Sequence, residues 1–125
     1  MKRLVLADDS RTIETIVRLS FEGEEYEVVT FQSARPALDY LRESGADVVL
    51  VDLSLPEVDG YEFCRRLRSE GRTADIPVVL LSGSMEKVDD RRAVDVGATS
   101  SLAKPFDPDH LVALVERLAG AEGRR

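Results

Sequence analysis

Val48-Val49-Leu50-Val51-Asp52 is an unbroken apolar run halted by a carboxylate. A run with no polar member suits a strand covered on both faces, as in a parallel sheet. Three other stretches share the form. Leu4-Val5-Leu6-Ala7 stops at Asp8-Asp9, Val78-Val79-Leu80-Leu81 stops at Ser82, and the shorter, weaker Ser101-Leu102-Ala103 stops at Lys104. A further strand is read over residues 27–31, which carry Val28-Val29-Thr30.

Between these runs the period becomes helical. Ile13, Ile16, Val17 and Phe21 recur on one face, and Gly23 is placed to end that helix. Ser33 suits an N-cap, Pro36 is tolerated in the first turn, and Ala37, Leu38 and Leu41 give an apolar side before Gly45. Phe63, Cys64 and Leu67 mark a third helix, set between a loop with Pro56 and Gly60 and a stop at Gly71. Residues 85–96 read as a fourth helix, weakly amphipathic and crowded with charge, before Gly97. Asp107 and Pro108 open a fifth, with Leu111, Leu114, Val115 and Leu118 as its buried stripe and Gly120 at its end. Strand–helix five times, without linker or low-complexity tract, predicts an α/β fold. Its economical form is a five-stranded doubly wound parallel sheet in the order 2-1-3-4-5.

Composition narrows the function. The 125 residues suit one domain, expected over 1–119, with 120–125 as a polar tail or the start of a linker. A net charge of −7 argues against non-specific binding to nucleic acid or an anionic membrane. The single cysteine, Cys64, excludes an internal disulfide or a multi-cysteine zinc site, and reads as a small buried hydrophobe. The single histidine, His110, excludes a site built on several imidazoles and reads as solvated. The longest apolar run, 111–115, is far too short to cross a membrane, and the basic start is not followed by a secretory signal's apolar stretch. A cytoplasmic location is expected.

In such sheets ligands bind beyond the carboxyl ends of the strands, near the switch in strand order. Asp8, Asp9, Asp52, Ser82 and Lys104 all stand at strand ends of that rim. Adjacent strands one and three should bring three carboxylates together. At ~4 Å and an effective dielectric near 20, each pair repels by about 4 kcal/mol, so the site must take up protons, a cation or both. Oxygen donors alone favour a hard ion such as Mg2+. A hard cation, an ammonium and a hydroxyl around a strand-end aspartate suit a phosphoryl group, with Asp52 as nucleophile. Gly83 leaves room and a free backbone N–H beside the phosphoryl oxygens.

These residues, with Pro56, Gly60 and Lys104-Pro105-Phe106, resemble the receiver domain of two-component response regulators, the family of the small chemotaxis regulator. The resemblance covers residues 1–119 and implies a flavodoxin-like (βα)5 fold. It implies Asp52 as phosphoacceptor, receiving a phosphoryl group from a sensor histidine kinase or phosphotransfer protein. It implies Asp9 as a direct ligand of Mg2+ (or Mn2+), Asp8 as its water-mediated partner, and the backbone carbonyl of Ser54 completing the shell. Ser82 and Lys104 resemble the hydroxyl and ammonium that hold the phosphoryl group, and the bond before Pro105 resembles the family's cis peptide. Output to an unknown target is expected through the 85–119 face. The domain is then a signalling phosphoprotein rather than an enzyme, apart from self-catalysed phosphoryl transfer and slow autodephosphorylation. Two positions depart from or vary within the pattern. Ser101 stands where the family usually has an aromatic ring, which puts a serine–aromatic switch in doubt, and Ser54 sits where it would tune water access to the acyl phosphate.

Simpler readings compete residue by residue. Asp8-Asp9 suits helix capping, Asp52 a turn, Ser82-Gly83 a loop start, and Lys104 and the Arg65, Arg66, Arg68, Arg72 group a solvated surface. A magnesium-dependent phosphatase fits poorly because the strand-one motif is Asp8-Asp9-Ser10 rather than Asp-x-Asp. A flavin site is disfavoured because two carboxylates repel its phosphate. A degenerate receiver, acting as an interaction module without a working phospho-switch, is the alternative that Ser101 supports.

Overall fold

The computed structural model describes residues 1–122. Five strands alternate with five helices: β1 (Lys2–Ala7), α1 (Arg11–Ser20), β2 (Tyr26–Phe31), α2 (Ala34–Ser44), β3 (Val48–Asp52), α3 (Gly60–Arg68), β4 (Val78–Ser82), α4 (Asp90–Val96), β5 (Ser100–Ala103) and α5 (Pro108–Glu122). All strand pairs are parallel, and the order is β2-β1-β3-β4-β5, as expected.

Strands β3 and β4 are buried along their whole length, which is why their sequences carry no alternation. Alternate residues feed two cores. Val5, Val49, Val51 and Leu80 face α2 and α3 through Leu38, Leu41, Phe63 and Leu67. Leu4, Leu6, Leu50 and Leu81 face α1 and α5 through Ile13, Val17, Leu111 and Val115. Fully burying side chains of this size contributes about 1.5–3 kcal/mol each, enough to fix the sheet's register. Register matters for the site. It pairs Ala7 with Val51 and Asp52 with Leu81, so the ends of β1, β3 and β4 lie side by side.

Three helix boundaries differ from the sequence reading. The stretch 85–96 is helical only from Asp90, because the Asp89 carboxylate accepts from the Arg92 N–H and caps the helix there. Met85 is fully exposed and brings no apolar contact to extend it. Gly71 does not end α3; Ser69 does, with its N–H on the Arg66 carbonyl. Helix α5 runs through Gly120 to Glu122 rather than stopping at the glycine. The expected polar tail therefore begins in helix, and its residues 123–125 lie outside the described residues.

Candidate functional site: an acidic rim with one ammonium

The carboxyl ends of β1 and β3 place Asp8, Asp9 and Asp52 so that one oxygen from each lies within 4.8 Å of the others. Asp8 and Asp52 are buried, and Asp9 is exposed. Lys104, one residue beyond β5, reaches back over the rim. Its Nζ is 2.9 Å from Asp8 Oδ2 and 3.4 Å from Asp52 Oδ1. Ser82 ends β4 and is buried. The Ser82 carbonyl accepts from the Lys104 N–H at 2.8 Å, which ties the hydroxyl-bearing strand to the lysine. The Lys104–Pro105 peptide bond is cis.

Local bonds show which simple readings fail. The α1 cap is Ser10, whose Oγ accepts from Ile13 N–H at 3.2 Å, so Asp8 and Asp9 are not the caps. Asp8 Oδ1 instead accepts from Ser10 N–H at 2.9 Å, leaving Oδ2 turned to Lys104. Asp52 does make a turn bond, accepting from Ser54 N–H at 3.2 Å, while it also faces the lysine. Lys104 is not a solvated lysine, since its side chain is only 17% exposed. Gly60 permits the close packing of α3 against the loop after β3. A Cβ there would stand 2.9 Å from the Asp52 carbonyl oxygen.

The charges are unbalanced. Burial pushes the Asp8 carboxyl above its ordinary range, and neighbouring Asp52 adds to this against the pull of Lys104 and Ser10. Burial works against the Lys104 ammonium, but Asp8 and Asp52 outweigh it and hold it above its usual value. Asp8 Oδ2 is buried and has no donor aligned as a hydrogen bond, although Lys104 Nζ is close to it. The short contact is an ion pair of poor hydrogen-bond geometry, so a lone pair remains open. Clustered carboxylate oxygens with an open lone pair fit a hard divalent cation.

The sequence matches the family described as "Response regulator receiver domain" over residues 4–116. The chain belongs to that family. It is 35% identical over 118 residues to the DNA-binding dual master transcriptional regulator RpaA of Synechocystis sp., covering 94% of this chain and 49% of RpaA. It is 36% identical over 117 residues to the response regulator MprA of Mycolicibacterium vanbaalenii, covering 93% of this chain and 49% of MprA. The chain thus spans about half the length of these curated relatives. Among solved structures, a putative response regulator from Chloroflexus aurantiacus matches with TM-score 0.88 at 30% identity, covering 95% of this chain and 98% of that one. The chemotaxis response regulator CheY4 of Vibrio cholerae matches with TM-score 0.85 at 29% identity, covering 94% and 98%. The chain is a receiver domain of two-component signalling with the flavodoxin-like fold. Among its described residues no helix is long and apolar enough to cross a membrane.

The receiver domain also holds features that the sequence did not reveal. The Gly83 N–H is not free, contrary to expectation; Glu86 Oε1 accepts it at 3.2 Å. Tyr61 Oη accepts from Asp89 N–H at 2.8 Å, and Arg92 lies over the Tyr61 ring at 4.2 Å and 3.6 Å from Asp59 Oδ2. These bonds tie the start of α4 to the start of α3. Arg68 departs from the solvated reading as well: its Nε donates to the Gly97 carbonyl at 3.0 Å and its Nη1 is buried. Arg65 and Arg66 pair with Glu62, Cys64 is buried, and His110 is exposed, as read. Ser101 is exposed on β5, opposite Leu80.

Proposed function

We propose that this receiver domain, taken as residues 1–119, accepts a phosphoryl group on Asp52 from a phosphohistidine of a sensor histidine kinase or phosphotransfer protein. The reading rests on one observation: three carboxylate oxygens within 4.8 Å of one another, faced by a single buried-edge ammonium. An Asp52 carboxylate oxygen attacks phosphorus, the P–N bond to the donor imidazole breaks, and the imidazole leaves with the electron pair. Lys104 neutralises charge on the arriving oxygens, and Ser82 Oγ donates to one of them. Asp8, Asp9, Asp52 and the Ser54 backbone carbonyl are the residues that would hold Mg2+ or Mn2+. That ion supplies charge neutralisation at the phosphoryl oxygens. The acyl phosphate then hydrolyses slowly, with Ser54 at the edge where water enters.

Output is proposed through the 85–119 face, toward a target whose identity the sequence does not name. DNA binding belongs to RpaA, about twice as long, and is not proposed for this domain, nor is membrane contact. A cytoplasmic location accords with a kinase-fed receiver. The exposed Ser101 favours a second reading, in which phosphorylation occurs but a serine–aromatic switch does not, leaving an interaction module with weak phospho-dependence.

Mass spectrometry after incubation with acetyl phosphate and magnesium tests the first reading. One phosphoryl group is expected on the native chain, none on Asp52→Asn and none after chelation. Uptake that persists in Asp52→Asn would displace the acceptor. Beryllofluoride with magnesium should shift amide resonances in 83–96; unchanged resonances beside a phosphorylated Asp52 would select the second reading.

A further inference from the structure

The loop that follows Ser82 is closed by one side chain. Glu86 Oε1 accepts from Gly83 N–H at 3.2 Å, and Glu86 N–H donates to the Gly83 carbonyl at 3.1 Å. This reciprocal pair resembles a capping box and accounts for the turn by itself. It does not account for the third bond. Ser54 Oγ donates to Glu86 Oε2 at 2.7 Å, across 32 positions of sequence, and so joins the loop after β4 to the loop after β3. Ser54 in turn donates its N–H to Asp52 Oδ1 at 3.2 Å. A chain of short contacts therefore runs from Asp52 through Ser54 and Glu86 to Gly83. It puts a fourth carboxylate against the two loops that border the acceptor.

We propose that Glu86 is a specificity-determining residue for phosphoryl donors, acting as an anionic plug. The inference rests on Asp52 being the acceptor. The Glu86 carboxylate occupies the Gly83 N–H, the backbone donor next to Ser82 on the acceptor rim, where a phosphoryl oxygen on Asp52 would bind. An incoming phosphoryl group must displace it, and its charge repels the donor before displacement. The cost scales with donor charge. Small doubly charged donors are disfavoured relative to singly charged ones, and the bond from Ser54 keeps the plug in register. Once displaced, Glu86 releases both loops, and the segment 83–89 keeps its Tyr61 tether and the packing of Val88 against the core.

The test compares phosphorylation rates of the full chain, with magnesium, using acetyl phosphate (a dianion near neutral pH) and phosphoramidate (singly charged). Glu86→Gln and Glu86→Ala are each expected to speed acetyl phosphate about fivefold or more, and phosphoramidate by about twofold at most. Two variants guard against a substitution that merely disturbs the turn. Rates unchanged or lowered with acetyl phosphate, or raised equally with both donors, would overturn the plug while leaving Asp52 as acceptor. A native chain that takes no phosphoryl group from either donor, or an Asp52→Asn chain that still does, would instead remove the acceptor and the plug with it.

Discussion

Strand β3 and helix α4 are opposite in how they are held. Every residue of β3 is buried, and the strand is clamped between β1 and β4. Helix α4 has seven residues and none is buried; Val94 is 75% exposed. It is held by polar ties, Tyr61 Oη to Asp89 N–H, Arg92 to Tyr61 and Asp59, and Arg68 to the Gly97 carbonyl behind it, and by the partly buried packing of Ala93 and Val96 against the core. The contrast teaches how the proposed acceptor can be held still while the proposed output face is held less firmly. Dense apolar packing fixes Asp52, whereas polar contacts and partly buried apolar ones hold α4, the pattern of a segment of lower local stability.

Five substitutions break or sharpen that contrast. The largest effect is expected from Leu50→Ala in β3, with a loss of about 2–5 kcal/mol in urea unfolding, because a fully buried side chain leaves a cavity. Gly60→Ala comes next, at about 1–3 kcal/mol. Its Cβ meets the Asp52 carbonyl oxygen at 2.9 Å and the Leu53 Cα at 3.0 Å, so α3 must retreat from the loop after β3. Phosphorylation from acetyl phosphate should slow in that variant, which a melting curve run beside the assay would separate from simple unfolding.

Asp8→Asn should have the opposite sign. Asp8 binds its proton more tightly in the folded chain than in the unfolded one, so the metal-free protein loses stability as pH rises from the ordinary carboxylate range through the raised value. Removing the charge should raise metal-free stability at neutral pH and flatten that decline, while weakening the response of the melting temperature to added magnesium. Tyr61→Phe removes the acceptor of Asp89 N–H at a cost of about 1 kcal/mol. Hydrogen exchange should quicken in α4 and not in β3; equal acceleration in both would deny the separation. Val94→Ala should change stability by less than about 0.5 kcal/mol, and a larger loss would show α4 to be packed more firmly than its exposure indicates.

Much of this was legible in the sequence where burial is continuous. The runs ending at Asp8, Asp52 and Ser82 announced strands covered on both faces, and parallel order then required their ends to converge. Lys104 was legible only through its distance along the chain from those acids, since alone it resembles any surface lysine. The region 83–96 was misread because charged residues give no period. Its helix start depends on one cap, Asp89, and its neighbours on contacts made across the fold.

Sequence by itself determined the five βα units, the strand order and the identity of the acids at the rim, because apolar runs and their polar stops are local properties of the chain. Only the tertiary structure decided that Ser10 rather than Asp8 caps α1, that Glu86 covers the Gly83 N–H, and that Tyr61 moors α4. Each of these is a hydrogen bond, satisfied by whichever partner the folded backbone brings within about 3 Å.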